Sequence, residues 1–260
     1  MIKLAISDLD GTLLTPQRQL PENTFEIIGK LKAKGILFGA ASGRQLQNLL
    51  DIFSPVANDM IFISENGGLA YCKGEILFCE ALTAEQTAKA LATVRAAEGL
   101  YPLLCAPECA YYGDTFPPFV EHVNDSYTHT KFADLDDIAR SQPVCKIAVY
   151  DTLGAEKNGA AILPEKLTEL RVIQSGMDWL DISTKSANKG SALAFILKKF
   201  GVSPDECMAF GDHMNDYEML CTCSHPFVPE NAYYKLKELF PHEIPSNKDF
   251  GVIRKLETLL

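Results

Sequence analysis

The sequence predicts an α/β protein: a doubly wound parallel sheet interrupted by an inserted α+β domain. Three observations carry that reading. Short apolar runs alternate with helix-period segments at both ends of the chain, the rhythm of a parallel sheet covered on both faces. The middle, residues 81–185, loses this rhythm and carries strand-like pieces punctuated by Pro102, Pro107, Pro117, Pro118, Pro143 and Pro164. The length of 260 residues fits one large domain or two modest ones and needs no disulfide or metal staple to fold.

The elements follow in order. Leu4-Ala5-Ile6 reads as a buried strand. Pro21 to Lys34 places Phe25, Ile28 and Leu31 at helical spacing, with Gly35 as its terminator. Ile36 to Ala41 is the next strand, Arg44 to Phe53 a helix, and Met60 to Ser64 a strand. Leu69 to Cys72 and Glu75 to Cys79 flank Lys73-Gly74, a hairpin signal. Thr83 and Gln86 form a capping box ahead of a helix ending near Gly99. Strand-like pieces follow at 103–105, 110–112, 146–150, 171–174 and 180–182. From Lys189 the first rhythm returns: a helix to Phe200 closed by Gly201, a strand from Cys207 to Phe210, and a helix from Asn215 to Leu220. Asn231 to Leu239 and Gly251 to Leu259 complete the helices.

Composition narrows the function classes. Hydrophobic content of 47% and charged content of 22% are ordinary for a globular protein. A net charge of -10 argues against nucleic acid and anionic membrane surfaces as partners. No apolar run is long enough for a transmembrane helix, and the first residues read as a strand rather than a signal peptide. The eight cysteines lack paired CxxC spacing, so they read as reduced thiols of a cytoplasmic protein.

Four segments carry chemistry. Asp8-Leu9-Asp10-Gly11-Thr12 follows the first strand. Two carboxylates at the carboxyl edge of an open α/β sheet stand where ligands bind, and their mutual repulsion calls for a proton or a cation. Read alone, the segment also fits an Asp-Gly turn with solvated acids. Gly211-Asp212-His213-Met214-Asn215-Asp216 follows a later strand and adds carboxylates suited to a hard divalent cation. A capped helix start, with Asp212 or Asn215 as cap, fits it too. Ala41-Ser42-Gly43-Arg44 offers a hydroxyl and free N–H groups at a helix start, a phosphate cradle or a plain cap. Lys189, after Asn188, opens a helix where a cation opposes the helix dipole. That misfit suggests pairing with a phosphate, with an exposed lysine as the bland alternative.

Together the four, in chain order Asp8-Leu9-Asp10-Gly11-Thr12, Ser42, Lys189 and Gly211-Asp212 through Asp216, resemble the motifs of the haloacid dehalogenase superfamily of aspartyl-nucleophile phosphatases. The resemblance narrows to the Cof-type members with a C2B cap through Glu65-Asn66-Gly67-Gly68, Asn231-Ala232 and Asp249-Phe250-Gly251-Val252. One departure is Ser224-His225-Pro226-Phe227-Val228, where relatives carry a smaller, more apolar segment.

The resemblance implies a Rossmann-like core of residues 1–80 and 186–260 and a cap of residues 81–185. It implies Asp8 as nucleophile and Asp10 as general acid and base. Ser42, Lys189 and Asn215 would hold the phosphoryl oxygens. Mg2+ would bind Asp8, the Asp10 backbone carbonyl and Asp212, with Asp216 orienting that shell and Arg44, Asn66 and Gly67 at the rim. The implied activity is Mg2+-dependent hydrolysis of a small phosphorylated metabolite, most often a sugar phosphate. A phosphomutase of the phosphomannomutase type and a non-catalytic phosphate-ester binding module are the rival readings. His213 reads as a supporting or surface residue, and Trp179 as a packing residue.

Overall fold

The computed structural model describes all residues, Met1–Leu260. The chain runs β1 (Leu4–Asp8), α1 (Thr24–Ala33), β2 (Leu37–Ala41), α2 (Leu46–Ile52), β3 (Met60–Ser64), β4 (Leu69–Cys72), β5 (Glu75–Cys79), α3 (Ala84–Arg95), β6 (Leu100–Cys105), β7 (Ala110–Tyr112), α4 (Pro117–Ser126), β8 (Thr130–Phe132), α5 (Leu135–Ser141), β9 (Lys146–Asp151), α6 (Gly159–Lys166), β10 (Leu170–Gln174) and β11 (Trp179–Thr184). It continues through α7 (Lys189–Phe200), β12 (Cys207–Phe210), α8 (Tyr217–Thr222), β13 (His225–Pro229), α9 (Tyr234–Leu239), β14 (Glu243–Ile244) and α10 (Gly251–Glu257). No helix is long and apolar enough to cross a membrane.

Two compact units result. The first comprises Met1–Gly43, Leu49–Phe78 and Asn188–Leu260; the second comprises Arg44–Asn48 and Cys79–Ala187. The first unit is built on an eight-stranded sheet of order β14-β13-β12-β1-β2-β3-β4-β5. From β14 through β3 every pairing is parallel, and β3 pairs β4 antiparallel. Its central strands are apolar on both faces, as a covered parallel sheet requires. Leu4, Ile6, Ile61, Ile63 and Ala209 pack with Leu193, Ile196 and Leu197 of α7 and with Met219 and Leu220 of α8. On the other face α1 lies beside β2 and α10. Because β1, β2, β3 and β12 run the same way, the loops after Asp8, Ala41, Ser64 and Phe210 all leave from one edge. Three of the four segments singled out in the sequence, those at Asp8, Ser42 and Asp212, therefore meet at one edge by topology, together with the Glu65–Gly68 loop.

The second unit is a six-stranded sheet of order β10-β11-β9-β6-β7-β8. Its pairings are antiparallel except β7 with β8. One face packs Leu91 and Val94 of α3, Ala139 of α5 and Leu163 of α6 against Leu104, Ile147, Val149 and Ile182. The other packs Phe119 and Val123 of α4 against Leu103, Ala148 and Tyr150. Trp179 packs there, its ring 5.5 Å from that of Tyr150.

Several local expectations hold in detail. Lys73 and Gly74 both adopt positive φ, as a tight two-residue hairpin demands. Thr83 and Gln86 exchange both capping hydrogen bonds. Gly201 ends α7 in the left-handed conformation. Others need correction. The helix expected over 84–99 stops at Arg95, and the one expected from Arg44 begins at Leu46. Three helices of the second unit, α4, α5 and α6, had no counterpart in the sequence reading. The prolines misled there: Pro117 and Pro118 open α4, where a missing N–H costs nothing. The departing segment at 224–228 forms most of β13, an ordinary parallel neighbour of β12.

Candidate active site

Asp8 is the last residue of β1, and its carboxylate is buried. The chain then makes one wide turn through Leu9–Leu13, closed by the Leu14 N–H donating to the Leu9 carbonyl over 2.8 Å. Gly11 carries φ 82 in that turn. A Cβ on Gly11 would lie 2.2 Å from Asp212 Oδ2, so only glycine lets the two loops approach this closely. Asp10, between them, is exposed. Thr12 Oγ1 donates to Asp212 Oδ1 over 3.2 Å.

Lys189 enters from α7, whose start is fixed by Asn188: its Oδ1 accepts the Ser191 N–H over 2.8 Å. The lysine is fully buried rather than exposed. Its Nζ donates to Asp8 Oδ1 and to Asp216 Oδ1, each over 2.6 Å. That explains a cation at a helix N-terminus: two carboxylates outweigh the opposing dipole. Asp216 is also fully buried. Its Oδ2 accepts the N–H groups of Asp212 and His213 over 3.0 and 3.2 Å. Both Asp216 oxygens are thus engaged, and Asp216, not Asp212 or Asn215, caps the turn that follows β12.

The electrostatics follow from crowding. Carboxylate oxygens of Asp8, Asp212 and Asp216 lie within 4.8 Å of one another. Burial pushes the Asp8 carboxyl well above the usual range; Lys189 pulls it back, and Asp216 and Asp212 push it further up. Burial and then Asp216 push Asp212 up to about 6. For Lys189, burial favours the neutral amine, but Asp216 and Asp8 together hold the ammonium firmly charged. Three carboxylates to one ammonium is a surplus of negative charge. The donors are carboxylate oxygens only, the set a hard divalent cation takes.

Asn66 touches two further loops. Its N–H donates to the Ser42 carbonyl over 3.0 Å, and its Oδ1 accepts from Asn215 Nδ2 over 3.3 Å. Ser42 is buried at the end of β2. Gly67 packs against the backbone at Asn188. Asp8, Asp212, Asp216 and Lys189 therefore form one cluster, with Ser42, Asn66, Gly67 and Asn215 on the adjoining loops of the same unit. Arg44 falls with the second unit, its Nη1 donating to Asn48 Oδ1 over 3.4 Å. His213 is exposed, its ring 5.1 Å from that of Tyr233.

One contributor had no role assigned by the sequence reading. Asn231 donates from Nδ2 to the Gly11 carbonyl over 2.8 Å. Its Oδ1 accepts from Ser246 Oγ and from the Asn247 N–H, each over 3.0 Å. Asn247 in turn donates to the Leu14 carbonyl over 2.8 Å. The turn after the first strand is thus held at its middle, Gly11, and just past its end, Leu14, from the C-terminal loops. Next to it the Tyr233 N–H donates to the Asp212 carbonyl over 2.8 Å.

A family model described as haloacid dehalogenase-like hydrolase matches residues 5–256. The chain belongs to that family of hydrolases. Among its relatives, the 5-amino-6-(5-phospho-D-ribitylamino)uracil phosphatase YbjI of Escherichia coli K12 is 27% identical over 100% of this chain and 96% of its own. The HMP-PP phosphatase of Cronobacter sakazakii is 28% identical over 93% of this chain and 89% of its own. A solved structure from Eubacterium rectale superposes with a TM-score of 0.89 at 25% identity, covering 100% of this chain and 99% of its own. TM0651 from Thermotoga maritima gives 0.88 at 24%, covering 99% and 97%. The family places a hydrolase on this fold, and the acidic cluster at the sheet edge supplies a place for a metal ion.

Proposed function

We propose that this hydrolase is a Mg2+-dependent phosphatase acting on a small phosphomonoester, a sugar phosphate in the first instance. Residues 1–80 and 186–260 carry the chemistry, with residues 81–185 as the cap. The observation that carries the reading is the buried Asp8–Lys189–Asp216 triad beside Asp212. A site that only bound an anion would not surround it with surplus carboxylate.

Asp8 attacks phosphorus through a carboxylate oxygen, forming the aspartyl–phosphate bond as the bond to the leaving oxygen breaks. Asp10, exposed at the turn, gives that oxygen its proton. A water then attacks the same phosphorus, Asp10 takes the water's proton, and the bond to Asp8 breaks to release phosphate. Lys189 holds Asp8 Oδ1 and fixes the carboxylate's orientation, and with Ser42 and Asn215 it steadies the phosphoryl oxygens. Asp8, the Asp10 carbonyl and Asp212 would hold Mg2+, with Asp216 orienting the loop. When bound, the ion supplies charge neutralisation for the phosphoryl group.

The named substrates of the relatives fit the same class of small phosphorylated metabolite. The eight cysteines lack paired CxxC spacing and fit reduced thiols of a cytoplasmic enzyme. A phosphate-release screen over phosphorylated sugars, nucleotides and the two substrates those relatives are named for tests the proposal. Free phosphate from at least one ester, dependent on Mg2+, is expected. Return of the group to substrate as an isomeric ester would make the chain a mutase, and no turnover of any ester would overturn the reading.

A further inference from the structure

The cysteines of the second unit hold a feature that phosphoryl chemistry does not use. Cys79 ends β5, and Cys145 immediately precedes β9. Their sulfurs are 3.7 Å apart, in contact as a thiol hydrogen bond. Cys79 is exposed, whereas Cys145 is fully buried beneath it. We propose that Cys79 and Cys145 form a peroxide-oxidisable thiol pair that closes to a disulfide.

The asymmetry assigns the roles. A thiolate reacts with an oxidant only where the oxidant can reach it, and a sulfenic acid is resolved by a thiol already in contact. The contact with Cys145 also lowers the Cys79 thiol, against an opposing effect of burial. The other close pair, Cys207 and Cys223, lacks this design. Both are buried, and the contact with Cys223, reinforced by burial, pushes the Cys207 thiol far up.

The chemistry balances with a peroxide as oxidant. The Cys79 thiolate attacks one peroxide oxygen, the O–O bond breaks, and hydroxide leaves to become water. The Cys145 thiolate then attacks the Cys79 sulfur. The S–O bond breaks, the hydroxyl leaves with a proton as a second water, and the S–S bond forms. Two thiols lose two electrons in all, and hydrogen peroxide is reduced to two waters. The sulfurs must close by roughly 1.7 Å to reach bonding distance, within the reach of side-chain rotation.

The position gives the bond a consequence. Cys79 leads into a segment that is already fastened within the second unit. The Leu82 N–H donates to the Val144 carbonyl over 2.9 Å. Glu80 Oε1 accepts from Thr184 Oγ1 over 3.2 Å and from Ser186 Oγ over 2.6 Å. A Cys79–Cys145 bond would add a covalent tie to this hydrogen-bonded clasp, closing a loop across 66 positions.

The test is mass spectrometry of the full chain after a few equivalents of hydrogen peroxide, followed by thiol alkylation and digestion. A peptide pair joined through Cys79 and Cys145, absent after dithiothreitol, is expected. Cys145→Ser should instead leave a Cys79 sulfenic acid that dimedone traps, and Cys79→Ser should leave residue 145 alkylatable after denaturation. Amide exchange at Leu82 should slow several-fold in the oxidised wild type and not in treated Cys79→Ser. The wild-type digest decides by itself, even if a variant folds poorly. Cys79 recovered as unmodified thiol, as sulfinic acid, or joined to another cysteine would overturn the pairing. Unchanged Leu82 exchange in the disulfide form would overturn the claim that the bond fastens the segment.

Discussion

Each of the two units buries a lysine beside aspartate, and the two clusters are built in opposite ways. In the second unit Lys146 Nζ stands 3.4 Å from Asp181 Oδ2, with the Tyr127 ring 5.9 Å from the ammonium. Here a cation and an anion stand on paired strands of a sheet, β9 and β11. In the first unit Lys189 is gripped at 2.6 Å by both Asp8 and Asp216, with the Asp212 carboxylate close by. Three acids crowd one cation. A buried pair of opposite charges between strands serves the fold. An unbalanced cluster retains negative charge that a bound cation would neutralise, which is why the Lys189 cluster reads as chemistry and the Lys146 pair as architecture.

The sharpest way to break this comparison is to remove the anion that does the attacking. Asp8→Asn keeps the volume and leaves Lys189 its bond to Asp216. Turnover should fall by about three orders of magnitude or more, while the melting temperature holds or rises, because a buried acid with a raised pKa is no longer present. Asp181→Asn in the other unit should leave hydrolysis of a generic aryl phosphate near wild type. Steady-state rates and thermal melts on the same samples check both. Retention of more than about a tenth of the wild-type rate by Asp8→Asn would sink the covalent mechanism.

Removing the cations ranks next. Lys189→Met leaves Asp8 and Asp216 facing each other without a counter-charge in a buried site. Breaking a buried ion pair costs about 3–5 kcal/mol, and here two carboxylates lose their partner, so chemical denaturation should report a value at the upper end and activity should vanish. Lys146→Met removes the cation beside one carboxylate, Asp181. Its stability loss should be smaller, with the aryl-phosphate rate per folded molecule unchanged. Equal losses for the two variants would mean that the surplus charge has no energetic meaning.

A proton titration sharpens the same contrast. Asp212 sits at about 6, against an ordinary aspartate carboxyl near 3.8. The folded chain therefore holds this proton more tightly than the unfolded chain. The associated stability is present below about pH 4 and is lost as pH rises through about 6. The melting temperature of the metal-free protein, measured as the difference between wild type and Asp212→Asn, should fall across that window. Mg2+ should restore it above pH 6 in wild type, where the carboxylates are free of protons, and have little effect in the variant.

Much of the first unit was legible because its signals are local. The Lys73-Gly74 turn, the Gly201 terminator of α7 and the strand ends at Asp8 and Phe210 are each dictated by a few neighbouring residues. The carboxylates of the candidate site could be named because each follows a buried strand, and a parallel sheet delivers such ends to one edge. What escaped was the direction of side chains. Lys189 stood out as a cation at the wrong helix end, yet nothing local says that it turns inward to two aspartates. The engagement of both Asp216 oxygens is likewise a property of packed loops. In the second unit α4 was lost because prolines that start a helix read like prolines that prevent one, and α6 carries Pro164 within it. Asn231 was quoted for a resemblance, but its partners Gly11, Ser246 and Asn247 are far apart in sequence, so its task emerges only in three dimensions.

That residue supplies the smallest and most discriminating test. Asn231 touches none of the four charged groups; it holds the Gly11 carbonyl and receives hydrogen bonds from Ser246 and Asn247. Asn231→Ala removes neutral hydrogen bonds that are partly exposed, so the stability cost should be near the lower end of the usual range, about 1 kcal/mol. The effect on chemistry should exceed that. Gly11 lies between Asp10 and Thr12, and Thr12 contacts Asp212, so a loosened turn misplaces the proton donor relative to Asp8. Turnover should drop by roughly tenfold with KM little changed, since a small misplacement acts on the transition state more than on binding. Asn231→Asp tests the direction of the bond. A carboxylate still accepts from Ser246 and Asn247 but cannot donate to Gly11, so its rate should resemble that of Asn231→Ala rather than wild type. If both variants turned over like wild type, the turn would be held by β1 and Gly11 alone, and the C-terminal loops would belong with the architecture.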